Sequence, residues 1–514
     1  MNYQFKILEN ENWWGGTAAG GPDQPYTAKS NAKYDFRRHC SNQTMPLLVS
    51  SEGRYIWSEN PFALNIHDGI IEMEGEDIIL VEAGSTLKDA YLAASKAHFP
   101  FEGKDLPEEF FATAQYNTWM EFTYFPTQEK VLDYAHKIIE NGFKPGILII
   151  DEGWHGRYGI WEFDELTFPD PKAMMDELHA LGFKVMLWVT PMITPDGLNY
   201  VRSVSRNPCF AGPEYKSKFL RTDDGKVALV EWWNGYSAIH DFFNPNDVEY
   251  LDSKLQKLMR DYGVDGFKFD GASVGMYHSA NIVNGVHTAH TPHEHNIEWN
   301  KFGARYKFHE YKDTYKGGGR CVIQRIRDRN HTWDGDGLAS VLPFALTQGL
   351  IGHPFICPDM IGGGEWTYRW NGTEVDQELF VRMAQASALF PMMQFSWAPW
   401  AALDEEHLGY VKEAAELHCR FAGKIIDLVH KSTTSGEPIL RAMEYNYPHA
   451  GYADVHDMFM LGDDTLVCPV LVKGQAEREI RLPEGKWQTE DGKIWEGTHT
   501  FATPVSKLLY FTKA

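Results

Sequence analysis

Three short stretches near the middle of the chain share one grammar, and they constrain the fold more than any other feature. Residues 146–151 read GILIID, residues 184–191 read KVMLWVTP and residues 265–270 read DGFKFD. Each is a nearly continuous apolar run without a polar face, and two of them end on an acid. Amphipathic segments separate them. Thr127 stands where an N-cap belongs, ahead of Val131, Leu132, Ala135, Ile138 and Ile139 on one helical face, and Gly142 ends that segment. A second helix is expected over 172–181, stopped by Gly182. A third, over 247–262, turns Val248, Leu251, Leu255 and Leu258 inward and stops at Gly263. Strands apolar on both faces, alternating with amphipathic helices, are the signature of a parallel sheet covered on both sides.

Further candidate strands at 321–325, 354–357 and 389–395 bring the count to that of an eight-stranded (β/α)8 barrel. The alternative is an open doubly wound sheet, but no strand runs into GxGxxG or GxxxxGK[ST], and the glycine triplets 317–319 and 362–364 lack that context. Residues 1–105 show strand-like alternation such as IIEMEGEDIILV (70–81), and after a helical stretch through Val429 short strands separated by turns return. The expected class is therefore α/β: a TIM barrel over 106–425, flanked by a short β-rich, sandwich-like N-terminal domain (1–105) and a C-terminal β-sandwich (426–514).

Charge narrows the partners. The 514 residues carry 48 Lys+Arg against 71 Asp+Glu, a net charge of -23, which repels phosphate backbones and acidic lipid surfaces. Neither a nucleic acid nor a membrane is an expected partner. No run approaches the roughly 18 apolar residues of a membrane span, and residues 1–14 lack a basic segment followed by an apolar one, so a soluble, cytoplasmic protein is expected. The six cysteines (Cys40, Cys209, Cys321, Cys357, Cys419, Cys468) show no CxxC spacing and are read as reduced, mostly buried thiols. The histidine run His287, His290, His293 and His295 admits a metal-site reading. Its spacing fits no helix face, so a solvated loop is preferred, and no metal or organic cofactor is expected.

In a β/α barrel the reactive groups project from the C-terminal strand ends. Asp151 and Asp270 each end a strand, while Asp336 (in WDGD, 333–336) and Asp359 (in DMIGG, 359–363) lie by the later ones. Aromatics punctuate the same loops: Tyr116, Trp119, Trp154, Trp188, Trp232, Trp233, Trp333, Trp397 and Trp400. Carboxylates accept hydrogen bonds from hydroxyls and indole faces stack on apolar ring faces, so an acidic, aromatic rim suits a small carbohydrate. Two carboxylates in different environments are also what glycosidic cleavage requires.

With these residues in place the chain resembles glycoside hydrolase family 31, the α-glucosidase and α-galactosidase group, from about Trp13 to its end. The matching pieces are the early WWGG turn, FPDP (168–171), DFFNP (241–245), DGFKFD, WDGD, GHPFICPDMIGG (352–363), FMLGDDTLVCPVLV (459–472) and LPEGKW (482–487). The resemblance implies Asp270 as the nucleophile of a covalent glycosyl-enzyme and Asp336 as general acid/base, retaining the α configuration, with the two carboxyls about 5 to 5.5 Å apart. It implies Lys268, two residues before the nucleophile, as the KxD variant of the α-xylosidase and α-galactosidase branches, holding Asp270 ionised by its charge. Asp151, Arg325 (after the fifth strand) and Asp359 would bind sugar hydroxyls, and Trp188, Trp333 and Tyr116 would wall the pocket, with Trp14 reaching it from the N-terminal turn.

Where many family members carry an Arg and a His at the end of the eighth strand, this chain has Gln394 and Ser396. That replaces charged donors by neutral groups, and the run 393–400 resembles the α-galactosidase-like branch. An α-galactosidase is therefore the favoured reading. An α-glucosidase or α-xylosidase of the same family, or a catalytically silent carbohydrate-binding relative, are the alternatives. The link from Arg325 to Trp333 is also shorter than is common in the family. A homo-oligomer is compatible with the sequence.

Overall fold

The computed structural model describes residues 1–38, 40, 42–204, 219–222, 224, 226–279 and 290–514. At its centre is one sheet of nine parallel-paired segments: β1 (Gln115–Asn117), β2 (Ile147–Ile150), β3 (Lys184–Val189), β4 (Gly266–Phe269), β5 (Phe308–Tyr311), β6 (Ile323–Arg325), β7 (Ile356–Cys357), β8 (Met360–Ile361) and β9 (Gln394–Phe395). Its order is β7-β6-β5-β4-β3-β2-β1-β9-β8. The two ends of the sheet, β7 and β8, are consecutive in the chain, separated only by Pro358 and Asp359. Proline cannot donate to a ladder, and Asp359 sits at φ 81, in the left-handed region. The hydrogen-bonded ladder is thus open at one point, between β7 and β8.

The helices form for the reasons read in the sequence. Thr127 Oγ1 accepts from the Lys130 N–H and caps Gln128–Glu140, which buries Val131, Tyr134, Ala135 and Ile138. Pro171–Ala180 is capped by Asp170, and Pro245–Tyr262 is capped by Asn244 and stopped by Gly263 at φ 86. Helix Glu405–Ser435 runs across the expected boundary at 425. The strand missed in the sequence is β5. Its residues, FHEY, set His309 and Glu310 side by side between Phe308 and Tyr311 and do not read as an apolar run, so Arg325 ends β6 and not a fifth strand. A short helix, Glu109–Ala112, precedes β1.

Ahead of the barrel lie an antiparallel four-stranded sheet (Asn2–Lys6, Ile70–Glu74, Ala63–His67, Ala32–Asp35) and a five-stranded one. The second includes Thr314–Tyr315 from the barrel, paired with Gln43–Ser50. Through this seam Gln43 Nε2 donates to the carbonyls of Lys312 and Arg325 at 2.9 and 3.1 Å, bracing the ends of β5 and β6. The C-terminal region is a six-stranded sheet plus a two-stranded pair, with Trp487, Ile480, Phe501 and Phe511 in its core. Among the described residues no helix is long and apolar enough to cross a membrane. Cys40, Cys321, Cys357 and Cys468 are buried free thiols and Cys419 is half-buried; Cys209 lies outside the described residues.

Candidate active site

Side chains two apart on a strand share a face, and this places the charges. On β4 Phe267 and Phe269 turn outward into a cluster with Trp299, Phe302 and Tyr306. Lys268, and Asp270 just past the strand end, turn the other way. Along β5, in register with β4 (Lys268 beside Glu310), Glu310 and Lys312 repeat the pattern. The result is a cavity of about 200 Å³ at the strand ends. It is lined by Asp151, Glu152, Trp188, Lys268, Asp270, Lys312, Arg325 and Asp328, with Trp119, Tyr124, Trp233, Glu365 and Trp366 among the residues around the mouth.

Asp270 is the focus of the floor. It is 7% exposed; its Oδ2 accepts from Trp188 Nε1 at 3.1 Å and its Oδ1 from the Gly271 N–H at 2.8 Å. Gly271 is at φ 73, and a Cβ there would stand 2.7 Å from Thr190 Oγ1, so the turn that delivers this N–H requires glycine. Burial alone would raise the Asp270 pKa, but the charges of Lys312, then Lys268 and Arg325, overcome it and hold the carboxyl below its ordinary value.

The cations are themselves committed. Lys268 Nζ donates to Asp151 Oδ2 at 2.6 Å, and the same oxygen accepts from Asn117 Nδ2 at 2.7 Å. Lys268 therefore reaches Asp270 by charge and not by a direct bond. Lys312 Nζ pairs with Asp328 Oδ2. Arg325 Nη1 donates to Asp328 Oδ1 at 2.8 Å and to Asp359 Oδ1 at 2.7 Å, and its Nε lies 3.4 Å from Glu310 Oε1. Asp328 is half-buried, and Lys312 and Arg325 hold it far below the usual carboxylate range. Glu152 is the opposite case. Burial and the nearby charges of Asp151 and Asp270 push it up to about 8, against the hydrogen bonds from Tyr158 and Trp233, so it keeps its proton at neutral pH.

The residues nominated from sequence divide accordingly. Asp151, Trp188, Lys268, Asp270 and Arg325 line one cavity, and Asp359 lies directly beneath it through Arg325. Asp336 does not line the cavity: its side chain is 70% exposed and pairs with Arg327 Nη2 at 3.1 Å on the loop after β6. Trp333 is half-buried outside the cavity and donates to Asp376 Oδ2 at 3.0 Å. Tyr116 and Trp14 are buried in the core, Tyr116 donating to the Lys144 carbonyl at 2.8 Å. Gln394 donates to Glu310 Oε2 at 3.1 Å inside the barrel, and Ser396 Oγ accepts from the Met120 N–H at 2.7 Å; both are fully buried and neither reaches the cavity. Of the histidine run, His293 and His295 are buried on helix Pro292–Gly303 rather than in a solvated loop, and His290 stacks on Phe243; His287 lies outside the described residues. No metal-holding group of His, Cys and acids occurs among the described residues.

Glu152, Lys312 and Asp328 line the cavity but were missed from the sequence. Lys312 was legible as the partner of Glu310 at a two-residue spacing, had β5 been recognised. Asp328 is carried in by the short link after Arg325, and no local pattern marks it.

Two family models match the chain: the glycosyl hydrolases family 31 TIM-barrel domain over residues 106–422 and the glycosyl hydrolase family 31 C-terminal domain over 436–514. The myogenesis-regulating glycosidase of Mus musculus is 30% identical over 448 residues, 84% of this chain and 60% of that protein. Alpha-glucosidase 2 of Bacillus thermoamyloliquefaciens is 24% identical, over 76% of this chain and 51% of its own length. Alpha-xylosidase XylQ of Lactiplantibacillus pentosus is 23% identical, over 75% and 50%. The chain thus spans between half and 60% of the length of these relatives. Among solved structures, a Flavobacterium johnsoniae dextranase complexed with glucose superposes with a TM-score of 0.81 at 17% identity, covering all of this chain and 66% of that one. A soil-metagenome α-xylosidase complexed with xylose gives 0.79 at 19%, covering 100% and 79%. At these identities the superpositions speak for the fold.

Proposed function

The chain belongs to glycosyl hydrolase family 31, and from that premise we propose that it is a retaining, exo-acting α-glycosidase, acting on a terminal α-galactoside. The observation that carries the chemistry is Asp270: a buried carboxyl at a strand end, kept ionised by three cations, with one protein hydrogen bond to each oxygen and lone pairs left for attack. Its oxygen attacks the anomeric carbon as the glycosidic bond breaks, and Asp336 gives the departing oxygen a proton. Asp336 then takes a proton from water, which attacks the same carbon and releases Asp270.

Asp328 is nearer the floor but is unsuited to the acid role. Lys312 and Arg325 stabilise its carboxylate and oppose the protonated form an acid needs. Asp336, exposed and held by a single ion pair, is free to exchange protons with solvent.

The sugar is neutral in this reading. Lys268, Lys312 and Arg325 are each already paired with a carboxylate, so among the described residues the cavity offers no uncommitted cation to a sulfonated or acidic sugar. The galactoside assignment rests on the Lys268-x-Asp270 spacing and on the similarity to the α-galactosidase-like branch; Gln394 and Ser396 support it only as buried markers of that branch.

Measuring kcat/KM on aryl α-galactoside, α-glucoside, α-xyloside and N-acetyl-α-galactosaminide tests both levels. A preference for the galactoside is expected. A preference for glucoside or xyloside overturns the specificity and keeps the mechanism, and absence of turnover on all four overturns both.

A further inference from the structure

Asp151 and Glu152 are adjacent, but their carboxyls serve different elements. Asp151 is bound within the barrel by Lys268 and Asn117. Glu152 Oε1 accepts from Tyr158 Oη and Asn234 Nδ2, both at 2.5 Å, and its Oε2 accepts from Trp233 Nε1 at 3.3 Å. Asn234 Nδ2 also lies 2.7 Å from Tyr158 Oη, closing a ring of contacts.

Trp233 and Asn234 form the tip of a β-hairpin, Leu229–Trp232 paired with Gly235–Ile239, in the excursion between β3 and β4. Beneath the tip Trp232 packs on Tyr158 with ring centroids 4.9 Å apart and on Trp233 at 4.8 Å. Trp233 is nevertheless 46% exposed, and it lines the cavity. A large indole left half in solvent at a cavity mouth, with its one polar edge tied to a buried carboxyl, presents an apolar face to whatever fills that cavity.

We propose that Glu152 is a positioning residue that latches the 229–239 hairpin over the cavity, and that Trp233, held by it, is a specificity-determining wall against the apolar face of the sugar. This rests on the glycosidase reading above. Glu152 has no part in bond cleavage here, because its oxygens are already engaged by Tyr158, Asn234 and Trp233. It acts through the hairpin, as groups behind a contact residue fix that residue's geometry.

The experiment compares Glu152→Ala, Glu152→Gln, Trp233→Ala and the Glu152→Ala/Trp233→Ala double variant in the full chain. The readouts are KM and kcat on the best aryl α-glycoside and hydrogen exchange of the hairpin amides. Glu152→Ala and Trp233→Ala should each raise KM about tenfold with kcat within about threefold, and the double variant should be no more than about threefold worse than either, because both remove one contact. Glu152→Gln, which keeps an oxygen for Tyr158 and Asn234 but turns an NH2 toward the Trp233 N–H, should raise KM by less than Glu152→Ala does. Hairpin exchange should accelerate in Glu152→Ala and not in Glu152→Gln.

Additive losses, a fall in kcat at unchanged KM, or unaltered hairpin exchange in Glu152→Ala would each overturn the latch. Should Glu152→Ala fail to fold, Asn234→Ala at the exposed tip tests the same contact, with faster hairpin exchange expected and unchanged exchange refuting it. The exchange measurement needs no substrate, so an inactive wild type would sink the glycosidase reading while leaving the latch to be judged separately.

Discussion

Asp270 and Asp336, the two carboxyls assigned to one reaction, occupy opposite surroundings. Asp270 ends a buried strand, is braced by Trp188 and the Gly271 N–H, and is surrounded by cations that are themselves braced by Asp151, Asp328 and Asp359. Asp336 hangs on an exposed loop with one ion pair, to Arg327. The difference matches what each would do under the proposed assignment. A nucleophile has to be ionised before the substrate arrives, so its environment is built in advance and shielded from water. A general acid/base gains and loses a proton in every cycle, and a site that clamps one protonation state, as Lys312 and Arg325 clamp Asp328, defeats that purpose.

The comparison breaks most visibly at the strand-borne member. Asp270→Asn should lower kcat more than about 10⁴-fold, equivalent to over about 5 kcal/mol of barrier, with the thermal transition retained. Activity above about one hundredth of wild type would remove Asp270 from the covalent step. Asp336→Ala should cost about 10² to 10⁴ on substrates with poor leaving groups and less than about tenfold on activated aryl glycosides, since only the former need protonation. Equal losses on both would take the proton-transfer role away from Asp336.

The pH profile sharpens the same contrast. Because Lys312, Lys268 and Arg325 hold the Asp270 pKa below that of an ordinary carboxyl despite burial, the ionised nucleophile survives as pH falls and is lost only when pH drops through the lowered value. The acid limb of kcat/KM should lie below that of an ordinary carboxyl and move to higher pH in Lys312→Met. An unmoved limb would mean that a group other than Asp270 governs it.

What could be read in advance follows the same division. Runs such as 146–151 and 265–270 announce buried strands because most of their residues are apolar, and their terminal acids followed from the rule for strand ends. β5 escaped because Glu310 and Lys312 interrupt its apolar pattern, yet those charges belong to the site. Asp328 escaped for another reason: it is brought in by the length of a loop and leaves no periodic trace. The aromatics misled most. Trp154 and Trp397 are fully buried, the ordinary fate of large apolar side chains, while Trp119, Trp188 and Trp233 reach the cavity, and sequence does not separate the two groups.

The smallest expected effect concerns Ser396, singled out from sequence as part of the neutral replacement for a charged pair at the sugar. Its hydroxyl is fully buried and accepts from the Met120 N–H at 2.7 Å, while its carbonyl accepts from Tyr134 Oη at 3.2 Å. Ser396→Ala therefore leaves a buried N–H without a partner, a cost of about 1 to 3 kcal/mol seen as a lower transition temperature. The galactoside-to-glucoside ratio of kcat/KM should stay within about twofold, because no atom of Ser396 faces the cavity. A change of tenfold or more would mean that discrimination extends below the cavity floor, through the strand end that carries Gln394 and Ser396. The strand-borne half of the site would then read the sugar as well as cleave it.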